Sequence, residues 1–312
     1  MIFSQQSPCF EVDGRDWPNR ETSHFVTVAG LDWHCQYYEP PERQGANGRK
    51  QGKDNIPRAL LLHGTGAATH SWRDFGPALS RHGYLCLAPD LPGHGFTSMP
   101  TTDGLSLSGM ARLFGALLAA EGFQPDIVIG HSAGAAIALA MVLQGTIKPK
   151  AVFAINGAFR PIRGNTLFSP LAKLFFINPM MPKMFAWRAA SPDAVERLIR
   201  STGSSIDTTG ARCYATLLKR SGHIAGALGM MANWDLEELQ RKIPAVDVPV
   251  ILIAARHDKA VPPEDAASLA ARLASGEAVM LEHGGHLVHE EDPEGLARLI
   301  VAKADPFMAA TD

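Results

Sequence analysis

The run Ile127-Val128-Ile129-Gly130-His131-Ser132-Ala133-Gly134-Ala135-Ala136 constrains this chain more than any other stretch, because an apolar, β-branched segment meets G-x-S-x-G and then a row of small helix formers. The apolar segment predicts a buried parallel strand, and the Ala, Leu and Met residues up to Leu143 predict a helix. Ser132 then stands on the sharp turn between them, where a strained backbone lifts its hydroxyl clear of its neighbours. Gly130 and Gly134 leave room for strand and helix to pack closely. The amide of Ala133, first in the helix, faces the place where an oxyanion would form. A plain tight turn would account for the motif letters alone; the strand before it and the helix after it favour a nucleophile.

A serine hydroxyl needs a base within hydrogen-bond reach, and the base needs a carboxylate to fix its tautomer. Two later strands supply candidates. Val248 to Ala254 runs into Arg256-His257-Asp258, and Ala278 to Leu281 runs into Glu282-His283-Gly284-Gly285-His286. Ends of parallel strands share one rim of a sheet, so Ser132, Asp258 and His286 can meet there. Their chain order is that of the α/β-hydrolase fold. His283 and His289 compete as the base, but Gly284-Gly285 lets the loop swing His286 over the serine. Asp247 precedes its strand and Glu264 opens a helix, so neither matches Asp258. Arg58 to Leu62 is a further strand, ending in His63-Gly64-Thr65-Gly66, whose Thr65 amide is the candidate for a second oxyanion donor. Asp90 and His94, in Asp90-Leu91-Pro92-Gly93-His94-Gly95, reach the same rim and read as residues that tie their loop.

Strands alternating with helices predict a mostly parallel sheet covered by helices on both faces. With 312 residues and 46% apolar content, the chain can bury one large α/β domain carrying an insertion. The expected organisation is an N-terminal arm over 1–21, a core over 22–157 and 241–312, and a helical cap over 158–240. His24 to Val28 and Leu31 to Tyr38 predict an edge hairpin, Ser71 to Arg81 and Leu105 to Ala120 helices, and Glu39 to Asn55 a surface loop. In the cap, aromatic and Met residues crowd between Phe168 and Trp187, cut by Pro170, Pro179 and Pro182, with short helices at Asp193 to Arg200 and Thr208 to Lys219. Met repacks around irregular apolar shapes, so Phe168, Met184, Trp187 and Met230, together with Trp72, are candidate substrate contacts. The competing account is a cap with its own small core, and for Trp72 a packing role.

A net charge of −2 without a dense basic stripe argues against nucleic acid as a partner. Cys9, Cys35, Cys86 and Cys213 have no C-x-x-C spacing and fit a reduced compartment, and the polar start of the chain lacks an export signal. A cytoplasmic protein without a spanning segment is expected, with peripheral contact to a membrane left open. The chemistry calls for no metal or organic cofactor.

The body of the chain resembles the α/β-hydrolases from about residue 22 to 304. His63-Gly64-Thr65-Gly66, Asp90 to Gly95, the serine turn, and Gly285-His286 ahead of Glu290-Glu291-Asp292-Pro293 carry the likeness. Gly14 to Arg20, Ala67 to Asp74, Phe168 to Lys173, Phe185 to Arg188 and Gly226 to Trp234 further resemble the BchO group, α/β-hydrolases associated with bacteriochlorophyll biosynthesis and described as magnesium-chelatase accessory proteins. The aromatic and Met residues of the cap point to a small-molecule ester with a large apolar body as substrate, and the resemblance implies a tetrapyrrole ester for that substrate and magnesium chelatase as a partner. Haloalkane dehalogenases and epoxide hydrolases resemble the chain less, since they place a carboxylate where Ser132 stands. Two readings compete with an esterase: a non-catalytic tetrapyrrole-binding or chelatase accessory protein, and a carbon–carbon bond hydrolase. Arg160 and Arg163 can meet a propionate, or be solvated arginines on a hinge.

Overall fold

The computed structural model of the chain describes residues 6–41, 56–160, 181–188 and 192–309. Among the described residues eight strands form one sheet: β1 (Ser23–Val28), β2 (Leu31–Tyr38), β3 (Arg58–Leu62), β4 (Leu85–Pro89), β5 (Ile127–His131), β6 (Ala151–Ile155), β7 (Val250–Ala255) and β8 (Gly276–Leu281). Their spatial order is β1-β2-β4-β3-β5-β6-β7-β8. Only β2 runs against its neighbours; the remaining pairs are parallel. Strands β5, β6 and β7 are buried at every position. Such continuous apolar runs need cover on both faces.

The two-residue period of a strand divides the core. Leu60, Leu62, Val128, Val152 and Leu252 point to one face, under α2 (Leu107–Ala120) and α3 (Ala133–Leu143). Ala59, Leu61, Ile129, Phe153 and Ile253 point to the other, under α1 (Phe75–Arg81) and α10 (Pro293–Met308). The helix expected from Ser71 is in two pieces, a 3-10 turn over Thr69–Trp72 and then α1. The turn sends Trp72 into the second face.

Between β6 and β7 lie α4 (Met181–Arg188), α5 (Pro192–Ser201), α6 (Thr208–Leu218), α7 (Ser221–Asn233) and α8 (Leu236–Lys242), while α9 (Glu264–Ala270) joins β7 to β8. Helix α7 is absent from the sequence-based expectation, because Gly222, Gly226 and Gly229 lower its helix propensity. Those glycines mark a packing surface: a Cβ on each would meet Ser7, Gly93 and Leu105, respectively, at under 3 Å. The described part of the N-terminal segment lies against the body. Trp17 is buried against Ala68, Phe96, Cys213 and Leu217, its indole N–H donating to Thr69 Oγ1 at 3.0 Å. The Gln6 amide donates to Ser221 Oγ at 3.0 Å. The arm therefore fastens α6 and α7 to the sheet. All four cysteines are free. No helix among the described residues is long and apolar enough to cross a membrane.

Candidate active site

Strand β5 delivers Ser132 to the rim in a backbone conformation that side chains rarely adopt, φ 51° and ψ −115°. The flanking sheet over-determines it. The Ser132 amide donates to Ile155 O at 3.0 Å, and its carbonyl accepts from the Ala158 amide at 3.0 Å. Gly134 is obligatory here, since a Cβ would lie 2.0 Å from Leu62 O.

His286 and Asp258 meet at the same rim, with Nδ1 to Oδ2 at 2.8 Å. A carboxylate only accepts, so Nδ1 carries a proton, and in the neutral ring the lone pair is then on Nε2. The other Asp258 oxygen, Oδ1, accepts from the amides of Ala260 and Val261 at 2.7 and 2.9 Å, which fixes the carboxylate plane. Three ties hold the His286 backbone. Its carbonyl accepts from Asn156 Nδ2 at 2.9 Å and from His131 Nε2 at 2.8 Å, and its amide donates to Thr202 O at 3.3 Å. Asn156 also accepts the Ala255 amide at 2.8 Å, so one side chain joins the end of β7 to the histidine loop. Sequence reading passed over Asn156. Its signal is an Asn directly after a β-branched strand, at a position with φ 46° that Asn tolerates better than most residues.

Ser132, His286 and Thr65 border one cavity of about 180 Å³, whose apolar wall includes Ala67, Val195, Leu198, Ile199, Leu218 and Leu287. Thr65 is exposed and Ala133 is the first residue of α3, so the Ala133 N–H has no acceptor within its helix. The competing candidates lie elsewhere. His283 is exposed and pairs with Asp292 at 3.1 Å. His289 is fully buried beside His131 and Trp72, without a hydrogen-bond partner for either ring nitrogen among the described residues. Asp90 ties its loop, as expected, accepting from His34 Nδ1 at 2.8 Å, the Thr69 amide at 2.7 Å and the Phe96 amide at 2.8 Å. Burial opposes its charge, but His34, His63 and the Phe96 amide bring the carboxyl down to about 2.

The expected substrate contacts fare differently. Trp72 is wholly buried between Phe75 and His289 and borders no part of the cavity; the packing role is the observed one. Met230 is likewise a core residue, 1% exposed, because that side of α7 faces the sheet's helices. Met184 is on α4 and exposed. Phe168, Arg163 and the side chain of Trp187 lie outside the described residues. Arg160 binds Asp265 at 2.7 Å and Ser268 at 2.8 Å.

An ionic cluster, buried at Arg73, Tyr214 and Glu290 and exposed at Asp207, lies behind the cavity wall. Tyr214 borders the cavity and donates to Glu290 Oε1 at 2.8 Å. Arg73 bonds the other Glu290 oxygen and Asp207, and Asp207 caps α6 by accepting from the Gly210 amide at 2.7 Å. Burial pushes the Glu290 carboxyl from 4.5 up to about 7, against the pull of Arg73 and Tyr214. Between those values the folded chain keeps a proton that the unfolded chain has released, so this group's contribution to stability is full below 4.5 and fades as pH rises through 7. Arg73→Met leaves Glu290 without its counter-charge, and the expected cost is about 3–5 kcal/mol where the carboxylate is ionised. Urea unfolding checks this: the loss should be largest near pH 8 and shrink near pH 5.5, where Glu290 takes a proton.

A family model described as the alpha/beta hydrolase fold matches residues 57–293. The magnesium-chelatase 30 kDa subunit of Rhodobacter capsulatus is 35% identical over 288 residues, 92% of this chain and 95% of that protein. The pyrrolizixenacetamide deacetylase of Xenorhabdus hominickii is 26% identical over 261 residues, 78% of this chain and 89% of that enzyme. The crystal structure of an α/β-hydrolase fold protein from Burkholderia ambifaria superposes with a TM-score of 0.71 at 22% identity, covering 90% of this chain and 97% of its own. With a family model matched across the sheet and a chelatase-subunit relative matched nearly end to end, the chain belongs to the α/β-hydrolase family.

Proposed function

We infer that the chain is a serine hydrolase acting on an ester, or a related carbonyl compound, of a large apolar substrate. The observation that carries this reading is the His286–Asp258 hydrogen bond of 2.8 Å on the rim of the cavity that Ser132 borders. In this reading Ser132 Oγ attacks the carbonyl carbon while His286 Nε2 takes its proton, and Asp258 holds the imidazole in the one useful tautomer. The amides of Thr65 and Ala133 receive the developing oxyanion, each donor contributing about 10²–10³ in rate. His286 then protonates the leaving alcohol, and water, activated by the same ring, releases the acyl group from Ser132.

The cavity limits what sits beside the scissile bond. An apolar cavity of about 150 Å³ holds a benzene, so 180 Å³ takes a group of that size, and the rest of a larger substrate must lie outside it, against the helices that we assign as a cap over 158–240. Purified protein should turn over p-nitrophenyl butyrate, and failure of a folded sample to do so would count against the reading.

A second reading, favoured by the chelatase-subunit relative, is a tetrapyrrole ligand and an accessory role beside magnesium chelatase. A magnesium-protoporphyrin methyl ester should then compete with p-nitrophenyl butyrate at micromolar concentration. Absence of competition would leave the esterase reading standing without the tetrapyrrole.

A further inference from the structure

We propose that His223, on helix α7, is a positioning residue that holds the Gly64–Gly66 loop, and with it the Thr65 amide, in place for oxyanion binding; the proposal rests on the hydrolase reading above. His223 is 1% exposed and uses both ring nitrogens. Nε2 lies 3.0 Å from Gly66 O, and Nδ1 lies 3.0 Å from the Gly95 amide nitrogen. A carbonyl only accepts and an amide N–H only donates, so the ring must carry its proton on Nε2 and none on Nδ1. Only that neutral tautomer satisfies both partners. The imidazolium would press a proton against the Gly95 N–H, and the other tautomer would turn a lone pair toward the Gly66 carbonyl.

The surroundings keep the ring neutral. Burial lowers its proton affinity to about 4; the Gly66 carbonyl and Asp90 act the other way, and His63 adds to the lowering. The remaining ring in contact, His94, is itself held well below its ordinary value by burial.

Two features give this link a mechanical consequence. Thr65 stands between two glycines, one of them, Gly66, at φ +74°, and glycine backbone adopts many conformations at little cost. Within the segment the Ala67 amide donates to Gly64 O at 3.2 Å and closes a turn around Thr65; the bond from His223 to Gly66 O is the tie that holds this turn against the body. Helix α7 also sits directly on the neighbouring rim loop, since a Cβ at Gly226 would lie 1.9 Å from Gly93 O. His223 thus references the Gly66 peptide to a helix that cannot shift independently of the Gly93–Gly95 turn. Because an oxyanion donor acts on the transition state, loosening it lowers kcat and leaves KM nearly unchanged.

Two substitutions separate the halves of the link. In H223Q the terminal amide can still donate near the Nε2 position to Gly66, and in H223N the side-chain oxygen can still accept near the Nδ1 position from Gly95. Each loses one buried hydrogen bond, so a purely structural role predicts equal effects. On p-nitrophenyl butyrate, H223N is expected to lower kcat about 10–100-fold with KM within about twofold, a fraction of what a deleted donor costs. H223Q should recover kcat to within about threefold to fivefold of wild type on the same grounds. Equal kcat losses in the two variants, or a loss confined to KM, would overturn the proposal. If H223N does not fold, ¹⁵N–¹H correlation on the wild type tests the same link: Nδ1 should keep the shift of an unprotonated ring nitrogen, beside a protonated Nε2, down to about pH 5, whereas an Nδ1 that gains a proton near the unperturbed value of about 6.5 would contradict it. A wild type that hydrolyses no ester would remove the hydrolase reading itself and this proposal with it, a result distinct from a loss confined to the variants.

Discussion

Ser132→Ala is expected to lower kcat/KM for p-nitrophenyl butyrate by about 10⁴–10⁶, because removing the nucleophile of such a set costs nearly as much as removing the whole set. His286→Ala should fall in the same range. Without Nε2 as acceptor the serine proton has nowhere to go, since burial holds the neighbouring His131 well below the ordinary imidazole range and makes it a poor base. The two losses should not multiply in the double variant, because each alone disables the same step. Steady-state kinetics with thermal unfolding as a control checks this. Activity that survives Ser132→Ala in a folded protein would mean another nucleophile.

Asp258→Asn isolates the tautomer, and about 10⁴ in kcat is expected to be lost. The Ala260 and Val261 amides demand an acceptor at Oδ1. The asparagine oxygen must therefore face them, and its NH₂ group faces His286 Nδ1. That ring nitrogen then has to accept, so the proton moves to Nε2 and points at the serine. The geometry survives and the base does not. Stability should change little, as the two backbone bonds are kept. A variant within about tenfold of wild type would show that Asp258 does not orient the ring, given the loss that an enforced wrong tautomer brings.

The parts of the site that stand at strand ends were legible in the sequence. A short apolar run followed by Gly, His or Asp announces both the strand and its rim, which is why Ser132, Thr65, Asp258 and His286 could be put forward as candidates that share one rim, and the sheet follows the same signal. Residues whose part is decided by packing left no such mark. Trp72 follows the Gly64–Gly66 loop closely in sequence, yet the 3-10 turn at Thr69–Trp72 sends it into the core. Met230 sits in a run rich in Gly, Ala and Met whose helical period is weak, so which side faced the sheet could not be read. His223 in the same run looks like a lone histidine on an apolar helix. Only the folded chain brings it against Gly66 and Gly95, 157 and 128 residues away. Asn156 and the Arg73–Glu290–Tyr214 cluster are likewise long-range, assembled from segments with no local pattern that names their partners.

Labelling with a fluorophosphonate tests the central claim most directly, because the reagent reports the reactivity of one hydroxyl without any assumption about the natural substrate. Intact mass and peptide mapping should show a single adduct, on Ser132, that forms in the wild type, is absent from Ser132→Ala and is strongly slowed in His286→Ala. A folded wild type that remains unlabelled, or an adduct mapped to any other residue, would contradict the account.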